Sequence, residues 1–243
     1  MSISEKFNQV YNEGKRNRWY YYFTNFCRIA LACGFLPAGY VKVIGERFTD
    51  LSNNQPLGHY LEALHHTGYY YTFIGLAQIL AAILLLIPRT ATLGALLYFP
   101  IILNICILSV AVRFEGSAIT APLMVLANVY LLIWDYDKLK YLIVPADDLP
   151  VPRLPMLSLK KSRFPVKLFV AFVLSIFVAV FLAANAFDIK PKNTLADCKR
   201  QCKSKDNPGA CEIFCEDIHT RGETFEIALD RYHQAIKKAL LIK

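Results

Sequence analysis

Four cysteines near the carboxy terminus form the most specific chemical pattern in this sequence: Cys198 and Cys202, eight intervening residues, then Cys211 and Cys215. Positions four apart lie on one face of a helix, so each CxxxC pair presents two sulfurs to a neighbour. A turn at Asp206-Asn207-Pro208-Gly209 would fold two such helices into a hairpin. Nested disulfides Cys198–Cys215 and Cys202–Cys211 are then the natural pairing, one of three connectivities open to four cysteines. So small a segment builds little core, and crosslinks are a usual way to hold it, provided it lies in an oxidising compartment. The rival reading is a zinc site, which more often shows tighter CxxC knuckles.

A second set of candidates lies inside apolar runs, where polar groups are costly and point to function by default. Arg28 and Lys42 sit near opposite ends of one run, where each could snorkel to the nearer surface. Gln78, Asn104 and Asn128 lie deeper, one in each of three successive runs. They serve either as hydrogen bonds between helices or, with Arg28 and Lys42, as a polar pocket for a small ligand such as a quinone headgroup. Arg89 is a candidate partner for Asp135 or Asp137 in a structural clasp.

The remaining candidates are weaker. His59, Glu62 and His66 have helical spacing, but three ligands without an HExxH pattern make a poor metal site, and exposed loop histidines are the plainer account. No metal is assigned. Cys27, Cys33 and Cys106 form no CxxC and read as small hydrophobes. No P-loop, GxGxxG or GxSxG occurs, so the residues argue no catalysis.

The elements that must carry these groups are membrane helices. Of 243 residues, 55% are hydrophobic and only 19% charged, whereas a soluble domain carries about a quarter charged residues. Five stretches have the roughly 20 apolar residues that a crossing needs: about 26–45, 68–87, 90–112, 117–134 and 168–187. Trp19, Tyr20, Tyr21 and Tyr22 precede the first as an interfacial belt. Short connections at Pro88-Arg89 and 113–116 make spans two to four antiparallel neighbours.

The net charge of +8 is segregated between the runs, which marks membrane orientation rather than nucleic-acid binding. An inside amino terminus places Lys6, Lys15, Arg16, Arg18, Arg89, Lys138 and Lys140 in the cytoplasm, leaving Arg47 and Arg113 in the outer short loops. The lysines after span five oppose this, but the cysteines favour an outside tail. No cleavable signal peptide is evident. The expected organisation is an amino-terminal segment (1–25), a four-helix membrane domain (26–141), a Pro-rich basic linker (142–165), a fifth transmembrane helix (166–187) hanging as a separate unit, and an extracytoplasmic Cys-containing tail (188–243). Phe225, Leu229, Tyr232, Ile236 and Leu240 recur at helical spacing in an amphipathic helix that would cover the hairpin, the plainest reading, or else lie on the bilayer or bind a partner.

Residues 25–141 resemble the DoxX family of small membrane proteins. PAGYVKVIG (37–45) followed by Glu46-Arg47-Phe48, the stretch from His59 to Phe114, and LANVYLLIWDYDKLK (126–140) carry the likeness. The His59–Phe114 stretch is similar to members from Bacteroidetes. The resemblance implies an all-α, four-helix membrane bundle and, through the family's name, association with thiosulfate:quinone oxidoreductase. The fifth span and twin CxxxC tail depart from that pattern.

The expectation is therefore an all-α accessory or scaffold protein of the bacterial inner membrane, amino terminus inside and tail outside, with an extracytoplasmic or membrane protein partner. A quinone-binding oxidoreductase subunit is the alternative, and an organellar membrane also fits twin CxxxC hairpins. A transporter lacks support, since no repeat pair or deep acidic residue is present.

Overall fold

The computed structural model describes residues 3–143 and 164–241, and every element in them is an α-helix. The linker expected at 142–165, with Pro145, Pro150, Pro152 and Pro155, lies mostly outside the described residues.

An amphipathic α1 (Ile3–Arg16) precedes α2 (Arg18–Val43). Asn17 divides them, its side chain accepting from the Trp19 N–H at 3.0 Å and so capping α2. The aromatic belt is thus the first turn of α2. Next come α3 (Pro56–His65), α4 (Tyr69–Leu86), α5 (Ala91–Ala111), α6 (Thr120–Trp134) and a short α7 (Tyr136–Ile143). Three of these, α2, α4 and α5, are long and apolar enough to cross a membrane, while α6 is a shorter apolar helix. Helices α1, α3 and α7 were not expected from the apolar runs, because they are short and partly polar.

The helices α2, α4, α5 and α6 pack in a closed ring, each on the next and α6 back on α2. Phe35 stacks on Tyr98 at 3.6 Å between ring centres, and the Tyr98 hydroxyl donates to the Leu31 carbonyl at 3.1 Å. Around them Ala81, Leu85 and Ile102 are fully buried. Because lipid is as apolar as a leucine side chain, close packing at small residues drives such association. Here Gly39 and Gly75 meet: a Cβ on Gly39 would lie 2.7 Å from the Gly75 carbonyl oxygen, and one on Gly75 equally close to that of Gly39.

Helix α8 (Val166–Asn185) packs on α6. Phe164, just before it, meets Trp19 at 5.2 Å; Phe172 meets Phe23 at 5.5 Å; and Phe187, just after it, lies beneath Arg113 at 4.8 Å. It therefore runs from the Trp19 end of the ring to the Arg113 end, which corrects the expectation of a separate hanging unit. The aromatic residues on the outside of α2 supply its seat.

The tail is α9 (Leu195–Cys202), α10 (Pro208–His219) and α11 (Phe225–Leu241). The Thr194 and Asn207 side chains cap α9 and α10, and Pro208 sits at the first position of α10, where its missing N–H costs nothing. The disulfides are Cys198–Cys215 and Cys202–Cys211, Cα–Cα 5.7 and 5.4 Å. Phe225, Leu229, Tyr232 and Ile236 of α11 cover the hairpin core of Phe214 and Ile218, as their spacing anticipated; the Leu240 side chain lies outside the described residues. Fully buried Asp217 holds Arg221 at 2.6 Å and Arg231 at 3.1 Å, joining α10 to α11.

Candidate functional site

A cavity of about 650 Å³ opens within the half of the ring that faces the tail, beneath α3. Its wall is mainly apolar: Phe35 and Ala38 of α2, Leu57 and Leu61 of α3, Ile74 of α4, Ile105 of α5 and Met124 of α6 all contribute. Into it project Lys42, Gln78 and Asn104. Three of the five polar residues proposed as a pocket thus meet.

Lys42 is 6% exposed. Its Nζ turns back to donate to the Ala38 carbonyl at 2.9 Å and lies 4.1 Å from the centre of the Phe48 ring. This corrects the expected outward snorkel. Side chains on a helix lean toward its amino terminus, and Phe48 covers the outward path. The Lys42 stem lies against Gly75, which is about 9 Å along α4 from its start at 1.5 Å per residue. Among the described residues no carboxylate pairs with Lys42: Glu46 is exposed, and Glu62 binds Arg47 at 2.9 Å and His66 at 3.0 Å.

Gln78 is buried, and its amide oxygen has no hydrogen-bond partner. Asn104 faces open space from α5 and makes no hydrogen bond among the described residues. Ser109, by contrast, is satisfied by the Ile105 carbonyl and by Ser117 at 2.6 Å.

The other two polar candidates lie elsewhere. Fully buried Asn128 donates to the Ala95 carbonyl at 3.1 Å, an interhelical bond between α6 and α5. Arg28 neither snorkels nor reaches the cavity; it pairs at 3.7 Å with Asp135 at the opposite end of the ring. Asp135 also accepts from Thr92 Oγ1 at 2.7 Å and meets Lys138 at 3.2 Å. Arg89 is exposed and forms no ion pair among the described residues, so the expected Arg89–Asp135 clasp is replaced by Arg28–Asp135–Lys138. The tight Pro88-Arg89 turn carries Arg89 past the helix ends, whereas Thr92 and Arg28 are level with the carboxylate. Asp137 is held by Lys15 at 3.1 Å and Lys140 at 3.7 Å.

The tail docks at the cavity end. Arg113 Nη1 donates to the Ile189 carbonyl at 3.0 Å, with its guanidinium against Phe187 and Phe225. Lys192 and Lys190 reach Glu115 at 2.7 and 3.4 Å, and Asn54 donates to the His219 carbonyl at 3.0 Å. Burial would raise the Glu115 carboxyl, but the two ammonium groups outweigh it and hold it below its ordinary range. Arg113 and Lys192, with φ of 53° and 56°, are the non-glycine residues in the left-handed region among those described. Both lie at this junction, where docking contacts offset that conformation.

Among the described residues, Cys202, Cys211 and Cys215 alone have metal-ligand spacing, and their sulfurs are engaged in disulfides. His59 is exposed, apart from the Glu62–His66 pair. The sequence reading missed Phe48 and the Gly39–Gly75 contact. Glycines amid larger residues, Gly34 and Gly39 in α2 and Gly75 in α4, were the available signal for the latter.

The chain is 35% identical over 127 aligned residues to a Bacillus subtilis (strain 168) protein named "Uncharacterized protein YwoB", covering 47% of this chain and 77% of that relative. The chain belongs to the YwoB family. Neither a family model nor a solved structure matches the chain.

Proposed function

We propose that this YwoB-family chain is a DoxX-like accessory protein of the bacterial inner membrane whose bundle holds a lipophilic small molecule. The cavity carries this reading. At about 650 Å³ it is of ordinary ligand-site size, about 300–1,000 Å³, with the usual apolar wall and few polar groups. The Gln78 amide oxygen, buried without a partner, is what a bound headgroup would satisfy. A quinone is one member of this class.

In the proposed topology the bundle and α8 cross the bilayer five times, with the amino terminus inside and the tail outside. The run of α8 along the whole ring supports the fifth crossing, and the paired cysteines support an oxidising compartment.

Organic extraction of the chain purified in mild detergent, followed by mass spectrometry, tests the reading. The expected result is one class of lipophile near one per chain, lost in the cavity-filling Ile105→Trp variant. Protein that carries only bulk lipid, unchanged by Ile105→Trp, would overturn it.

A second reading is a platform for an extracytoplasmic partner. Ile213 and Ile227 support it, being 50% and 43% exposed on the tail. Failure to co-purify any stoichiometric companion by crosslinking from those positions would remove it.

A further inference from the structure

We infer that the molecule held in the cavity is a lipophilic acid, an apolar body ending in an anionic head that pairs with Lys42. This rests on the cavity reading and goes beyond it by assigning the charge of the head.

Lys42 is the one charged residue among those described that line the cavity. A buried ammonium is expensive unless it is paired and hydrogen-bonded. The fold supplies one carbonyl, Ala38, and the Phe48 face. One ring face and one carbonyl do not replace a paired counter-charge. An ammonium has three donors, so further ones remain for a ligand. No acid competes for them, because Glu62 is held by Arg47 and His66.

The geometry also holds the ammonium in place. The Gly39–Gly75 crossing sets the Lys42 stem against α4, within one turn of Gln78. Lys42 and the unpartnered Gln78 amide therefore face the same space from adjacent helices. An anionic head could accept from Lys42 with one oxygen, while a second oxygen accepts from the Gln78 amide N–H or, in a phosphate monoanion, donates its O–H to the unpartnered amide oxygen. The apolar body would follow the wall of Leu57, Leu61 and Ile105. A neutral headgroup would leave the cation unmatched.

The test is direct binding to the full chain in nanodiscs, comparing oleate, an oleoyl lysophosphatidate, oleyl alcohol and a short-tailed quinone. Acid probes are expected to bind roughly tenfold to hundredfold more tightly than oleyl alcohol, the range for a hydrogen bond to a charged group. Whichever acid binds better distinguishes a carboxylate from a phosphate head. Lys42→Met should abolish the acid preference and leave alcohol binding unchanged, while Lys42→Arg should retain it. Equal binding of alcohol or quinone and acid to the wild-type chain overturns the inference but leaves the cavity reading intact. So does an acid preference that survives in Lys42→Met. If no probe binds to folded chain with intact disulfides, the cavity reading itself fails. The head comparison on the wild-type chain decides the matter even where Lys42→Met does not fold.

Discussion

Lys192, in the tail, donates to Glu115, on the loop between α5 and α6, at 2.7 Å. This contact joins two parts of the chain 77 residues apart and fixes which end of the helix ring the cysteine hairpin covers. The hairpin therefore sits over the half of the bundle that contains the cavity.

Glu115→Gln should loosen this docking. The pair is partly exposed, so the loss is modest, about 0.2–1 kcal/mol. Limited proteolysis between Ile189 and Thr194 should become faster. Acid should act in the same direction on the unmodified chain. The Glu115 carboxyl is held below its ordinary value of 4.5 by Lys192 and Lys190 against the opposing effect of burial. That of Asp188 is lowered by hydrogen bonds from Lys205 and Tyr232. Their stabilisation is complete above the ordinary carboxylate range and lost as pH falls through the lowered folded values. Protease protection of the tail that does not change on acidification would contradict this.

Replacing Cys198 and Cys215 together by serine opens the longer crosslink, which spans 17 residues. For a loop of that size the loss is about 3 kcal/mol. Hydrogen exchange should rise throughout α9 and α10 but not in α2, α4 or α5, since the tail core is separate from the bundle core.

Gly39→Leu should disrupt the ring. Even a Cβ there falls 2.7 Å from the Gly75 carbonyl oxygen, and backbone cannot move aside as a flexible side chain can. Overpacking of this kind costs about 1–3 kcal/mol. The thermal midpoint in detergent should fall, and the cavity should lose Lys42 from its wall.

Asp135→Ala should be far more damaging than Arg89→Gln. Removing Asp135 strands the mostly buried Arg28 guanidinium, and breaking a buried pair costs about 3–5 kcal/mol. Arg89 is exposed and outside any ion pair among the described residues, so its loss should fall within about 0.5 kcal/mol. Thermal unfolding of the two variants side by side checks the contrast.

The sequence by itself determined the four helices of the ring, α8 and, given an oxidising compartment, the cysteine pairing. Apolar runs of bilayer length report helices directly, because a backbone in lipid must satisfy its own hydrogen bonds. Sulfurs four residues apart share a helical face whatever surrounds them, so with a turn at 206–209 and oxidising conditions Cys198–Cys215 and Cys202–Cys211 were the favoured pairing among three. The covering role of α11 followed equally from its periodicity.

Only the tertiary structure decided which polar residues share a site. Arg28, Lys42, Gln78, Asn104 and Asn128 all intrude into apolar runs, and their positions along those runs give depth but not helix rotation. Close approach at Gly39 and Gly75 turns Lys42 and Gln78 toward one cavity, while Asn128 turns to Ala95 and Arg28 to Asp135. Ala95 lies in α5, across from α6, and Asp135 in the turn that joins α6 to α7. Which residue meets which depends on how whole helices are rotated against one another, a property of the packed ring rather than of any one segment.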